Sequence, residues 1–174
     1  MTEPAPENPN LPRATNELFL NTLYSYKNQF NASLFWANVS AALGVPVTIA
    51  AAVAAALAYA NHGGSPAALL ALITAAGKGL EQFLQPAEKA AKHKAWGSGY
   101  QTLNSDVKDF YRLDLNDASH DREWVRARYD ELQSRRNGLN TGSGLVPTWA
   151  FRRTKKNLSA EAEYTEAELR LIEE

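Results

Sequence analysis

Apolar side chains at Leu18, Tyr24, Phe30 and Leu34 recur at loosely helical spacing, after a start in which Pro4, Pro6, Pro9 and Pro12 punctuate polar residues. Proline disfavours helix and the first residues offer nothing to bury, so the pattern predicts a flexible lead-in over 1–12 followed by an amphipathic helix. That helix leads into residues 41–60, AALGVPVTIAAAVAAALAYA, whose only hydrogen-bonding side chains are Thr48 and Tyr59. A stretch that is apolar all round has no face to turn to water, and at 1.5 Å per residue it covers roughly 30 Å, the hydrocarbon thickness of a bilayer. Gly44 and Pro46 predict a kink within it. Asn61-His62-Gly63-Gly64-Ser65-Pro66 is a dense turn signal, and Ala67 to Leu84 is a second apolar segment, interrupted by Lys78 and Glu81. Two such helices joined by a short turn predict an antiparallel hairpin with spans at about 34–60 and 67–84.

After Pro86 the second helix is expected to continue as an amphipathic one through Trp96, Tyr100, Leu103, Val107 and Phe110, over about 86–113. Asp114, Asn116 and Asp117 supply a break. Another helix is expected over 119–136, with Val125, Tyr129 and Leu132 on one stripe, then a loop from Asn137 to Gly144. A short basic helix at 147–157 is opened by Pro147 and carries Trp149, Phe151, Arg152, Arg153, Lys155 and Lys156. Residues 158–174 read as an acidic tail. The rings of Trp96, Tyr100, Trp124, Tyr129 and Trp149 are expected mostly in a core. The fold class is all-α: an integral membrane helical hairpin extended into cytosolic amphipathic helices, with 13–157 as one domain.

Charge sharpens this picture. The 174 residues hold 18 Lys and Arg against 19 Asp and Glu, a net charge of −1 that argues against general nucleic-acid binding. Yet none of these charges falls between Asn28 and Gly77. The turn at 61–66 has no Lys or Arg, whereas Lys27, Lys78, Lys89, Lys92 and Lys94 lie at the other ends of the spans. By the positive-inside rule the turn faces outward and both termini face the cytoplasm. Phe35 and Trp36 would then lie near the inner interface and Tyr59 near the outer one. The alternative is a soluble helical hairpin, since ten of residues 41–60 are alanine, which contributes little to insertion.

Candidate chemistry adds little. There is no cysteine, which removes disulfides, thiolate nucleophiles and cysteine-based zinc sites. No phosphate loop, nucleophile elbow, dinucleotide fingerprint or zinc-protease motif occurs, so neither an enzyme nor a cofactor is expected. His62, His93 and His120 are far apart and read as solvated surface residues. One constellation stands out: Thr74, Lys78, Glu81, Gln82 and Gln85 fall on one side of a helix. Lys78 would lie about eleven residue rises, roughly 16 Å, from the turn. The stripe is either a Lys78–Glu81 pair snorkelling toward headgroups or the lining of an oligomeric pore. Ala71, Ala75 and Gly79 repeat on a neighbouring face, at a spacing that permits close helix packing.

Taken together, Leu23-Tyr24-Ser25-Tyr26-Lys27-Asn28-Gln29-Phe30, the short-turn hairpin, Lys92-His93 through Tyr100-Gln101-Thr102-Leu103, and Pro147-Thr148-Trp149-Ala150 resemble the SLATT family over residues 17–157. The resemblance stops short of the acidic tail. It implies a two-span bacterial effector of conflict systems that use nucleotide second messengers. Such a protein would form homo-oligomeric membrane pores and kill or arrest an infected cell when a sensor or synthase partner is triggered. A non-conducting membrane anchor whose cytosolic helices bind a partner is the alternative function.

Overall fold

The computed structural model describes residues 11–60, 64–115 and 117–156, which are helical with no strand among them. The elements are α1 (Leu11–Tyr59), α2 (Ser65–Leu84), α3 (Pro86–Asp109), a π-helical turn (Phe110–Asp114), α4 (Arg122–Gly142) and α5 (148–156). They form two compact units, a bundle of residues 11–31 with 93–156 and a hairpin of residues 32–92, so that α1 and α3 each contribute to both. The tail at 158–174, most of the lead-in, His62 and Asn116 lie outside the described residues.

In the bundle the apolar stripes read from the sequence converge. Leu18 from α1, Leu103 and Val107 from α3, Phe110 from the π turn, and Val125 and Leu132 from α4 make one core, with Leu11, Phe19, Leu115, Tyr129 and Leu139 packed around it. A polar layer sits beside it. Asn104 Nδ2 donates to the Phe19 carbonyl at 2.9 Å and to Thr22 Oγ1 at 2.8 Å, while Thr22 Oγ1 donates to the Leu18 carbonyl at 3.0 Å. A buried amide is tolerated because these bonds replace the ones it had to water.

Several boundaries differ from expectation. Helix α1 begins at Leu11, inside the expected lead-in, because Leu11 packs on the core and Thr15 Oγ1 bonds back to its carbonyl at 2.9 Å. It also runs through Pro46 as a single helix. The second apolar helix does not continue past Pro86 unbroken. Gln85 takes a left-handed conformation (φ 48°, ψ 49°) between α2 and α3. Proline's ring excludes the ordinary helical conformation for the residue before it, and Pro86 is well suited to start a new helix.

The expected loop at 137–144 is helical to Gly142. Tertiary contacts override the weak helix propensity of NGLNTG: Leu139 joins the core, Gly142 packs against the Trp96 ring, and Asn140 Oδ1 accepts from Tyr100 Oη at 2.7 Å. The same helix starts at Arg122 because Asp121 caps it, accepting from the Trp124 amide at 2.8 Å.

Candidate functional site

The hairpin unit is built from two stripes at alternating three- and four-residue spacing, the geometry of helices packed almost in line. On α1 the covered positions are Leu43, Val47, Ala50, Ala54 and Leu57, and on α2 they are Ala67, Leu70, Thr74, Gly77, Glu81 and Leu84. The closest approach is at Gly77, where a Cβ would collide with the Val47 side chain. One turn on, a Cβ at Gly44 would lie 3.7 Å from Glu81 Oε1, so the carboxylate rests against the α1 backbone.

This arrangement divides the polar stripe. Thr74 and Glu81 turn toward α1, whereas Lys78, Gln82 and Gln85 are exposed. The Thr74 hydroxyl is satisfied within α2 by the Leu70 carbonyl at 2.8 Å. Lys78 Nζ reaches over to Glu81 Oε2 at 2.9 Å, closing an i, i+3 ion pair. Ala71, Ala75 and Gly79 lie on a different face of α2 from its contact with α1. All three are exposed, and a Cβ at Gly79 would meet nothing within 4 Å. The seam glycines Gly44 and Gly77 are the ones the sequence reading missed. Their signal was the three-four spacing from Leu43 to Leu57, which places α1's partner face opposite Gly77.

Beside the pair, α1 presents Ala37, Ser40, Ala41, Gly44, Val45 and Thr48 along an open groove of about 660 Å³, with Glu81 on its wall. Much of the remaining surface of the two spans is apolar and uncovered. Val45, Ile49, Val53, Leu69, Leu72 and Ile73 are between 44% and 67% exposed, and Phe83 is 84% exposed. Both apolar helices are long and apolar enough to cross a membrane. A helix of that kind in a water-soluble core would be mostly buried, but only 6% of each apolar window is.

At the expected inner interface, Lys89 Nζ stands 4.4 Å over the Trp36 ring, and Phe35 meets Trp36 edge to face at 5.3 Å. Ser33 Oγ donates to the Ala90 carbonyl at 2.9 Å, which seats the start of α3 on α1. Tyr59 is 95% exposed. Nearby, Glu88 accepts from Lys92 at 2.6 Å, and that hydrogen bond and charge hold its carboxyl below the usual range.

His93 and His120 depart from a solvated surface role. His93 Nδ1 lies 2.7 Å from Gln29 Oε1 in the bundle, and partial burial lowers its pKa. His120 stacks on Trp124 with ring centroids 3.7 Å apart. Among the aromatics, Tyr100 is buried, Trp96 and Tyr129 are half-buried, and Trp124 is 40% exposed. No group of three or more metal-ligating side chains occurs among the described residues. Comparison with family models, with curated proteins and with solved structures finds no match for this chain.

Proposed function

We propose that the chain is a non-enzymatic membrane effector. Its hairpin inserts in the bacterial inner membrane with both termini cytoplasmic, copies assemble, and the assembly permeabilises the membrane, causing death or growth arrest in anti-phage defence. The trigger, a nucleotide-second-messenger sensor or synthase system, comes from the SLATT resemblance, and the bundle helices would receive it. The observation that carries the reading is the uncovered apolar surface of the hairpin. Leaving such side chains in water costs about 25 cal/mol per Å², and lipid removes that cost. The Lys78–Glu81 pair supports a conducting role, because a charge within a span costs about 2.5–3.5 kcal/mol unless it is paired or hydrated. A ring of such pairs around water would hydrate it.

The decisive test is dye or ion release from liposomes holding the purified chain. Lys78→Leu with Glu81→Leu should insert at least as well as the parent and lose release. Undiminished release removes the stripe from the mechanism and moves the lumen to α1. Cysteines at Ser65 and Ser159 should label oppositely in intact cells, and external labelling of 159 alone would overturn the topology.

The non-conducting anchor is favoured by one observation: the ion pair and the Thr74 hydroxyl are satisfied within a single hairpin. A chain that resists carbonate extraction but does not conduct would select that reading. Release by carbonate would select the soluble module.

A further inference from the structure

The bundle unit carries an exposed surface that pore formation does not use. Helix α5 is pinned by one side only: Ala150 and Thr154 are fully buried, and Thr154 Oγ1 accepts from Asn31 Nδ2 at 2.8 Å. That anchoring turns Arg152, Arg153 and Lys155 outward, all exposed, with Phe151 at 55% exposure on the flank. Just before the helix, Leu145 is 98% exposed. Leu145, Val146 and Phe151 border one small cavity of about 290 Å³, so the apolar residues are neighbours and the cations adjoin them.

The local charge is one-sided. From Leu132 to Lys156 there is no Asp or Glu. Within that stretch the Arg135 guanidinium is bound by Asp106 of α3 at 2.6 Å and Arg136 is half-buried, whereas Arg152, Arg153 and Lys155 of α5 are exposed. Cations beside an exposed aliphatic side chain and a partly exposed aromatic ring match a surface that is anionic at one depth and apolar at the next, which describes a bilayer with acidic headgroups. A polynucleotide would use the cations and the ring of Phe151 but has nothing for Leu145, since an aliphatic side chain offers no stacking face.

We propose that residues 145–155 form a headgroup-docking element, in which Leu145 and Phe151 enter the interface of an anionic bilayer while Arg152, Arg153 and Lys155 bind its headgroups. The proposal rests on the membrane reading of the hairpin and adds a second, composition-dependent contact. Three cations near an anionic surface strengthen docking on the order of 100-fold at low salt.

The chain's lack of cysteine makes the test direct. Thr148→Cys, exposed between Leu145 and Phe151, carries an environment-sensitive fluorophore in the full chain reconstituted in liposomes. In phosphatidylglycerol-containing liposomes, headgroup-labelled nitroxide lipid should quench it several-fold more than in phosphatidylcholine alone. High salt, or Arg152→Gln with Arg153→Gln and Lys155→Gln, should abolish the difference. Equal quenching in both compositions, or a triple variant that keeps the difference, overturns the proposal. A response to single-stranded RNA with none to anionic lipid overturns it in favour of polynucleotide docking. A second label at Leu72→Cys, quenched by deep acyl-chain nitroxides, reports hairpin insertion separately. Loss of quenching there counts against the membrane reading, whatever the Thr148 label shows.

Discussion

The bundle and the hairpin use the same backbone, helices, for opposite purposes. In the bundle the large apolar side chains go inward: Leu18, Leu103, Val107, Phe110 and Leu132 are at most 2% exposed. In the hairpin many large ones, among them Val45, Ile49, Leu69, Leu72 and Phe83, go outward, and the covered face mixes Val47 and several leucines with small residues such as Ala32, Ala67 and Gly77. The bundle therefore has the interior of a water-soluble domain, held by apolar burial. On the membrane reading proposed above, the surroundings of the hairpin would be as apolar as leucine itself, and its helices would associate through close backbone contact such as that at Gly77. On that reading one chain serves two solvents, and the charge-free stretch from Asn28 to Gly77 makes up most of the hairpin.

The sharpest way to break this comparison is to truncate each kind of apolar residue. Phe110→Ala should destabilise the bundle by about 3–5 kcal/mol, since it empties the centre of the core. Circular dichroism during urea unfolding of the reconstituted chain would measure it, with carbonate resistance of the hairpin unchanged. Leu72→Asp should do the reverse. At the middle of α2 it should cost about 3–4 kcal/mol of insertion on translocon scales, measured by glycosylation mapping, with little change in bundle stability. Equal insertion of the variant would mean that the outward leucines do not face lipid.

Smaller changes probe the two interiors. Gly77→Ala should cost about 1–3 kcal/mol of hairpin packing through overlap with Val47, and Val47→Ala should restore part of it in a double-mutant cycle. Asn104→Ala should cost the bundle about 1–2 kcal/mol by removing the donor to Thr22 Oγ1 and one of the donors to the Phe19 carbonyl. The smallest effect concerns His93. Burial lowers its folded pKa below the unfolded value near 6.5. The neutral form is thus favoured in the folded state, so its contribution is complete above about pH 6.5 and is lost as pH falls through the folded pKa. Thermal melts of the parent should soften toward acid more than those of His93→Gln.

The sequence carried the element types well, because the relevant signals are strong: a charge-free stretch from Asn28 to Gly77, a Gly-Gly-Ser-Pro turn, and a stripe through Val125, Tyr129 and Leu132. It carried the bundle core as well, since Leu103, Val107 and Phe110 follow helical periodicity. What it did not carry is contact-dependent. The helical course of NGLNTG depends on Trp96 and Tyr100, forty or more residues away. The seam between α1 and α2 was not legible because in a segment this rich in alanine every face looks small, and only the position of the partner helix selects Gly77. The polar stripe was legible as a set of residues, but the division between Glu81, resting on Gly44, and Lys78, reaching out, depends on where α1 lies.

The π-helical turn at Phe110–Asp114 carries a consequence for how the chain tolerates changes in length. Its Leu115 amide bonds to the Phe110 carbonyl at 2.9 Å, five residues back, so this turn holds one residue more than an α-helical turn would. Deleting Tyr111 or Arg112 would leave a backbone free to close as ordinary α-helix at little local cost. Each α-helical residue turns about 100° about the axis, so the penalty would fall downstream, where Leu115 would swing away from the core beside Val107. A single-residue deletion there should therefore misplace Leu115 and the connection into α4, costing the bundle stability while the turn itself stays helical.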